Sequence, residues 1–147
     1  MPIEITNLQR CMKVPKNRIR AAVRRVMTRE FARKVNISVA VVDDDRIAQL
    51  NWVFLQRAEP TDVLAFPLEE GRGQEKPEEV FGEIVISAER ARREARKRHV
   101  RPETELILYA VHGMLHLAGY NDRTPAERKR MRRREAEILG SLGTTSG

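Results

Sequence analysis

The segment from Glu103 to Ala118 constrains the fold more than any other part of the chain. It carries Leu106, Ile107, Ala110, Val111, Met114 and Leu115, so a helix there is apolar almost all the way round. A surface helix keeps a polar face toward water, whereas a helix without one must be covered by other elements. The pattern predicts a central, buried helix over about 103–118, ended by Gly119 in a left-handed conformation. The 147 residues are enough to wrap one such core.

The flanking segments supply the wrapping. Residues 15–34 form an amphipathic helix, with Pro15 in its first turn and Ile19, Val23, Val26, Met27 and Phe31 at helical spacing. Asn36–Val42 alternates β-branched residues and reads as a strand. Asp43-Asp44-Asp45 ends it and can cap a helix from about Arg46 to Leu55. Pro60-Thr61-Asp62 is a turn into a short strand, Val63–Phe66, that Pro67 stops. A polar loop over 68–79 precedes a strand at Phe81–Ile86, and Ser87 can cap a helix over 88–98. Thr124, Pro125 and Glu127 start a last, basic helix, and residues 140–147 read as a flexible tail. The order α-β-α-β-β-α-α-α predicts an α+β fold. It is a single compact domain over 1–139, a small mixed sheet packed with helices around the central one.

Two of the three histidines, His112 and His116, lie on that central helix. A spacing of four puts both imidazoles on one face, one turn apart, where they can share a metal ion. Gly119 reverses the chain, so Asp122 can return toward them as a third ligand. Two histidines and a carboxylate leave a fourth tetrahedral position open, the arrangement of a catalytic zinc site, although iron(II) also accepts such a set. The spacing His-x3-His-x2-Gly-x2-Asp is similar to the zinc signature of metzincin peptidases. Gly113, however, stands where those enzymes need a glutamate as general base.

The charge is one-sided. Twenty-eight Lys and Arg face twenty-one Asp and Glu, a formal net charge of +7, and the excess gathers in residues 16–34, 90–101 and 128–134. Such clusters suit polyanions, and nucleic acid first among them. No run is long enough for a membrane span, and Met1–Ile5 lacks a signal-peptide pattern. The single cysteine, Cys11, suits a reducing compartment, so the chain is expected to be cytoplasmic.

The stretch His112–Asp122, HGMLHLAGYND, resembles the HGxLHLxGYDH signature of the YbeY family of metal-dependent endoribonucleases. Leu50-Asn51 with Phe54, then Pro60–Pro67 (PTDVLAFP), resembles that family's LN…PTDVLSFP segment, and Phe81–Ser87 (FGEIVIS) its GDIVIS strand. The resemblance covers roughly residues 35–125. It implies one zinc ion per chain held by His112 and His116, with Asp122 in the place of the family's third histidine. It also implies cleavage of single-stranded RNA in 16S rRNA 3′ end maturation and ribosome quality control, with the ribosomal subunit as partner. The family's assisting arginine falls at Leu55 here, and Arg57, two residues on, is the candidate to replace it. That departure leaves a ribosome-assembly factor with a structural metal as the alternative, and a minimal zinc peptidase as a third reading. Trp52 and Phe54 are possible base-stacking surfaces but are expected in the core. Glu83 is expected to be an exposed strand residue, and His99 carries no assigned role.

Overall fold

A computed structural model describes residues 3–32, 34–55, 63–68 and 79–143. The strands are β1 (Ile3–Asn7), β2 (Lys34–Val42), β3 (Val63–Leu68) and β4 (Glu79–Ser87). The helices are α1 (Lys16–Glu30), α2 (Asp44–Leu55), α3 (Ala88–Arg98), α4 (Pro102–Leu117) and α5 (Pro125–Ser141). The strands form one mixed sheet in the order β1-β2-β4-β3, parallel except where β3 runs against β4.

Strand parity separates the two faces of the sheet. Ile3 and Ile5, Val35 to Val41 at alternate positions, and Ile84 and Ile86 enter the main core with α1, α3, α4 and α5. Val42, Leu64 and Val85 point the other way and pack against Ile47 of α2. The central helix is buried as its pattern predicts: Leu106, Ile107, Tyr109, Ala110, Val111, Met114 and Leu115 all lie in the core, and Leu108 is partly exposed. Gly113 lets α4 approach the sheet closely, since a Cβ there would lie 3.0 Å from Cγ2 of Ile84.

Several boundaries differ from those the sequence suggests. β1 was not expected; five residues of alternation, Ile3 and Ile5 inward, become a strand only by parallel pairing with Ile37–Val41. Pro67 does not stop β3, which continues to Leu68. β3 is an edge strand, where a missing backbone N–H is tolerated. α1 ends at Glu30 because Phe31 is already extended, and β2 starts at Lys34, paired with Glu79. α5 continues to Ser141. The expected turn at 60–62 and most of the loop at 68–79 lie outside the described residues.

The helix starts follow the expected chemistry. The Asp43 carboxylate accepts from the Arg46 N–H at 2.8 Å, and the Ser87 hydroxyl from the Arg90 N–H at 3.1 Å. Asp44 ties these two helices together. It accepts from the Ser87 hydroxyl at 2.6 Å and from Arg93 at 2.8 Å. Partial burial works against its charge, but those two donors outweigh it and hold its carboxyl below the usual range.

Candidate metal centre

The end of α4 and the turn after it build the centre. Gly119, at φ 109°, sets up a Schellman closure: the Tyr120 N–H donates to the Leu115 carbonyl at 3.0 Å and the Gly119 N–H to the His116 carbonyl at 3.0 Å. This reversal aims the Tyr120 carbonyl back at His116 and carries Asp122 over the last turn of α4. Thr124 and Glu127 then form a capping box, with Pro125 at the first helical position, and α5 leaves across α4. Arg128 fixes the connection by donating to the carbonyls of Asp122 at 3.2 Å and Arg123 at 3.3 Å.

The three residues singled out in sequence meet. The two Nε2 atoms of His112 and His116 lie 3.1 Å apart, and Oδ2 of Asp122 is 3.7 Å from the first and 3.4 Å from the second. All three side chains are partly exposed, so the centre opens to solvent. A point roughly 2.0 Å from all three atoms lies near the plane of this triangle, the distance zinc keeps from imidazole nitrogen and carboxylate oxygen.

The hydrogen bonds on the far side of each ring fix which nitrogen faces that point. Nδ1 of His116 donates to the Tyr120 carbonyl at 3.1 Å, and Nδ1 of His112 donates to Glu135 of α5. Neutral rings bonded in this way present lone pairs at Nε2. Two lone pairs and a carboxylate oxygen converging without a proton between them make a donor set for a cation. The residues therefore fit a divalent transition metal.

Glu135 is the residue the sequence reading missed. It is only 8% exposed, on the buried stripe of α5 with Met131 and Ile138. The available signal was a carboxylate at Met131+4 and Ile138−3, on the apolar face of a helix that is otherwise basic. Tyr120 is anchored too. Its hydroxyl donates to Glu30 of α1 at 3.1 Å, and Glu30 accepts from Arg134 at 2.5 Å. Hydrogen bonds to Glu137 and then Glu30 raise the pKa of Arg134 above its ordinary value.

A cavity of about 200 Å³ opens on His112 and Asp122 and is walled by Arg128, Met131, Arg132 and Glu135. It places two guanidinium side chains beside the candidate ligands. Leu55, where the resemblance expects an arginine, closes α2, and Arg57 lies outside the described residues. Trp52 is not in the core; it is 53% exposed because the buried stripe of α2 runs through Ile47 and Asn51. Glu83 is half-buried on β4, and His99 caps α3 at φ 58°.

A sequence model of the family described as endoribonuclease YbeY matches residues 4–143. The chain is similar to the endoribonuclease YbeY of Syntrophus aciditrophicus, 35% identical over 141 residues, covering 95% of this chain and 88% of the relative. It is also similar to that of Carboxydothermus hydrogenoformans, 38% identical over 143 residues, covering 95% and 96%. Among solved structures it resembles the solution structure of TM1509 from Thermotoga maritima, with a TM-score of 0.63 and 28% identity over 97% of this chain and 93% of that one.

Proposed function

The chain belongs to the YbeY endoribonuclease family, and from that premise we propose that it cleaves single-stranded ribosomal RNA with one zinc ion held by His112, His116 and Asp122. It is an endoribonuclease, a hydrolase acting on RNA. The observation that carries the metal-dependent reading is the convergence of two Nε2 lone pairs and one carboxylate oxygen, each ring aimed by a partner on its other nitrogen. Bound there, zinc would supply Lewis acidity toward water and a phosphate oxygen.

The chain's own residues do the rest. Glu135 and the Tyr120 carbonyl hold the protons on Nδ1 and keep both Nε2 atoms free. Arg132, on the cavity wall, is the group that engages the scissile phosphate and the charge that develops on it. Arg128 holds the turn that carries Asp122. At position 113 there is no general base. The space is closed by Ile84, so the peptidase reading lacks its glutamate at that position.

Ribosomal RNA as the substrate, maturation of the 16S 3′ end as the step, and the ribosomal subunit as partner follow from the family resemblance and the basic helices. We place the protein in the cytoplasm on its single cysteine; among the described residues no helix is long and apolar enough to cross a membrane. The test is zinc-loaded protein with precursor 16S RNA. Cleavage in single-stranded regions, lost on chelation and restored by zinc, is expected. Metal-loaded protein that binds the RNA and leaves it intact would refute the enzymatic reading and favour an assembly factor.

A further inference from the structure

A second cavity, of about 350 Å³, lies between the end of α1 and the flank of α5 that faces away from the first one. Arg29, Arg130, Arg133 and Arg134 line it, with Glu30, Glu137 and Tyr120. Both carboxylates bind the same arginine: Arg134 reaches Glu30 at 2.5 Å and Glu137 at 2.9 Å. Arg29, Arg130 and Arg133 form no ion pair with any described residue. The guanidinium carbon of Arg130 lies over the Tyr120 ring, 5.0 Å from its centroid.

The periodicity of α5 explains the division. Met131, Glu135 and Ile138 form its buried stripe. At 100° per residue, Arg128 and Arg132 fall on one side of that stripe, and Arg130, Arg133 and Arg134 on the other. One helix therefore serves two basic cavities. The Tyr120–Asp122 turn is their common edge: Tyr120 lines one, Asp122 lines the other, and the Tyr120 carbonyl holds His116.

We propose that the Arg29–Arg130–Arg133 cavity is a second phosphate-binding subsite, which grips the backbone of a single-stranded RNA at nucleotides beyond the cut site. This rests on the reading of the chain as a ribonuclease. Four guanidinium groups against two carboxylates leave this concave site with a net positive charge of two among the described residues, which favours phosphate. The shared turn gives a bound strand a short path from this subsite to the candidate metal centre. The arginines hold sugar-phosphate rather than base edges, so the subsite contributes affinity and register without sequence preference.

The test compares zinc-loaded full-length wild type with the Arg29→Ala/Arg133→Ala double variant and, as a control, Arg96→Ala/Lys97→Ala on α3. A fluorescent single-stranded RNA of about twelve nucleotides is titrated over a salt series by anisotropy. Losing two phosphate contacts should weaken binding about tenfold at low salt and reduce the salt slope by about 1.4, from about 0.7 for each single-strand phosphate. In cleavage assays KM should rise by a similar factor while kcat is kept, with zinc content unchanged. Unchanged affinity and slope in the double variant would overturn the subsite, and so would an equal loss in the α3 control, which would mean diffuse charge. Wild type that binds this RNA without ever cutting it would overturn the ribonuclease reading alone. Wild type that binds no RNA would overturn both.

Discussion

Replacing Glu135 by glutamine keeps the shape of the side chain and removes its charge. The carboxylate is buried and bonds directly to Nδ1 of His112, so it fixes the ring's tautomer and makes Nε2 more basic. Losing such a partner lowers metal affinity about 10- to 100-fold, or about 1.4–2.7 kcal/mol. Glutamine can still accept from Nδ1, so Glu135→Gln belongs near the tenfold end; Glu135→Ala, which leaves the ring without a partner, belongs near the hundredfold end. Competition with a chromophoric chelator at neutral pH reads this directly. Thermal unfolding reads it independently. Zinc at a thousand times its Kd adds about 4.1 kcal/mol to stability, and a tenfold weaker site gives up about 1.4 kcal/mol of that. For a chain of this size that lowers the Tm of the zinc-bound protein by roughly 3–6 °C. If both variants bind zinc within about threefold of wild type while keeping their helix content, Glu135 does not position His112. A loss as large as that from removing a ligand would equally refute the argument, because it would make Glu135 a ligand itself.

His116→Ala removes one of three donors and should strip most of the metal; unchanged zinc per chain by elemental analysis would sink the ligand assignment. Gly113→Ala pushes a methyl group to 3.0 Å from the fully buried Ile84. The overpacking penalty of about 1–3 kcal/mol exceeds the helix-propensity gain of about 1 kcal/mol, so urea denaturation should show a loss of up to about 2 kcal/mol. A more stable variant would show that α4 is not held tightly to the sheet there. Asp44→Asn tests the link between α2 and α3. Because the folded carboxyl titrates below its ordinary value of 3.8, its contribution is full above that pH and disappears as pH falls through the lowered value. The variant should therefore be less stable than wild type at pH 7, with the gap closing in acid below about 3.8. A gap that stays constant between pH 7 and the acid range would refute the ionic origin.

What the sequence made legible was local. The apolar surround of α4, the histidine spacing and the glycine after the helix are each visible within about sixteen residues, and all three appear in the structure as expected. Capping at Asp43, Ser87 and Thr124 is equally local. The misses were non-local. β1 owes its existence to a partner more than thirty residues away, and Pro67 is accommodated because β3 is the edge strand of the sheet among the described residues. Trp52 looked like core because it is large and apolar; its exposure follows from its angle on α2, which the positions of Ile47 and Asn51 set.

Glu135 and Arg134 show why the candidate centre was only half visible. The three candidate ligands all fall within residues 112–122, and the signature there ends at Asp122. What aims two of them comes from α5. Glu135 holds His112 directly, while its neighbour Arg134 holds Glu30, which anchors the Tyr120 hydroxyl and so the turn whose carbonyl holds His116. Adjacent residues on one helix thus orient both imidazoles by separate routes, one through the buried stripe and one around its flank. A run of basic residues conceals this, because its acids look like ordinary charge balance until the stripe through Met131 and Ile138 is drawn. The docking of α5 onto α4 is therefore part of the candidate metal centre: without it His112 loses its Nδ1 partner and the Tyr120 turn loses the Arg134 end of its anchor.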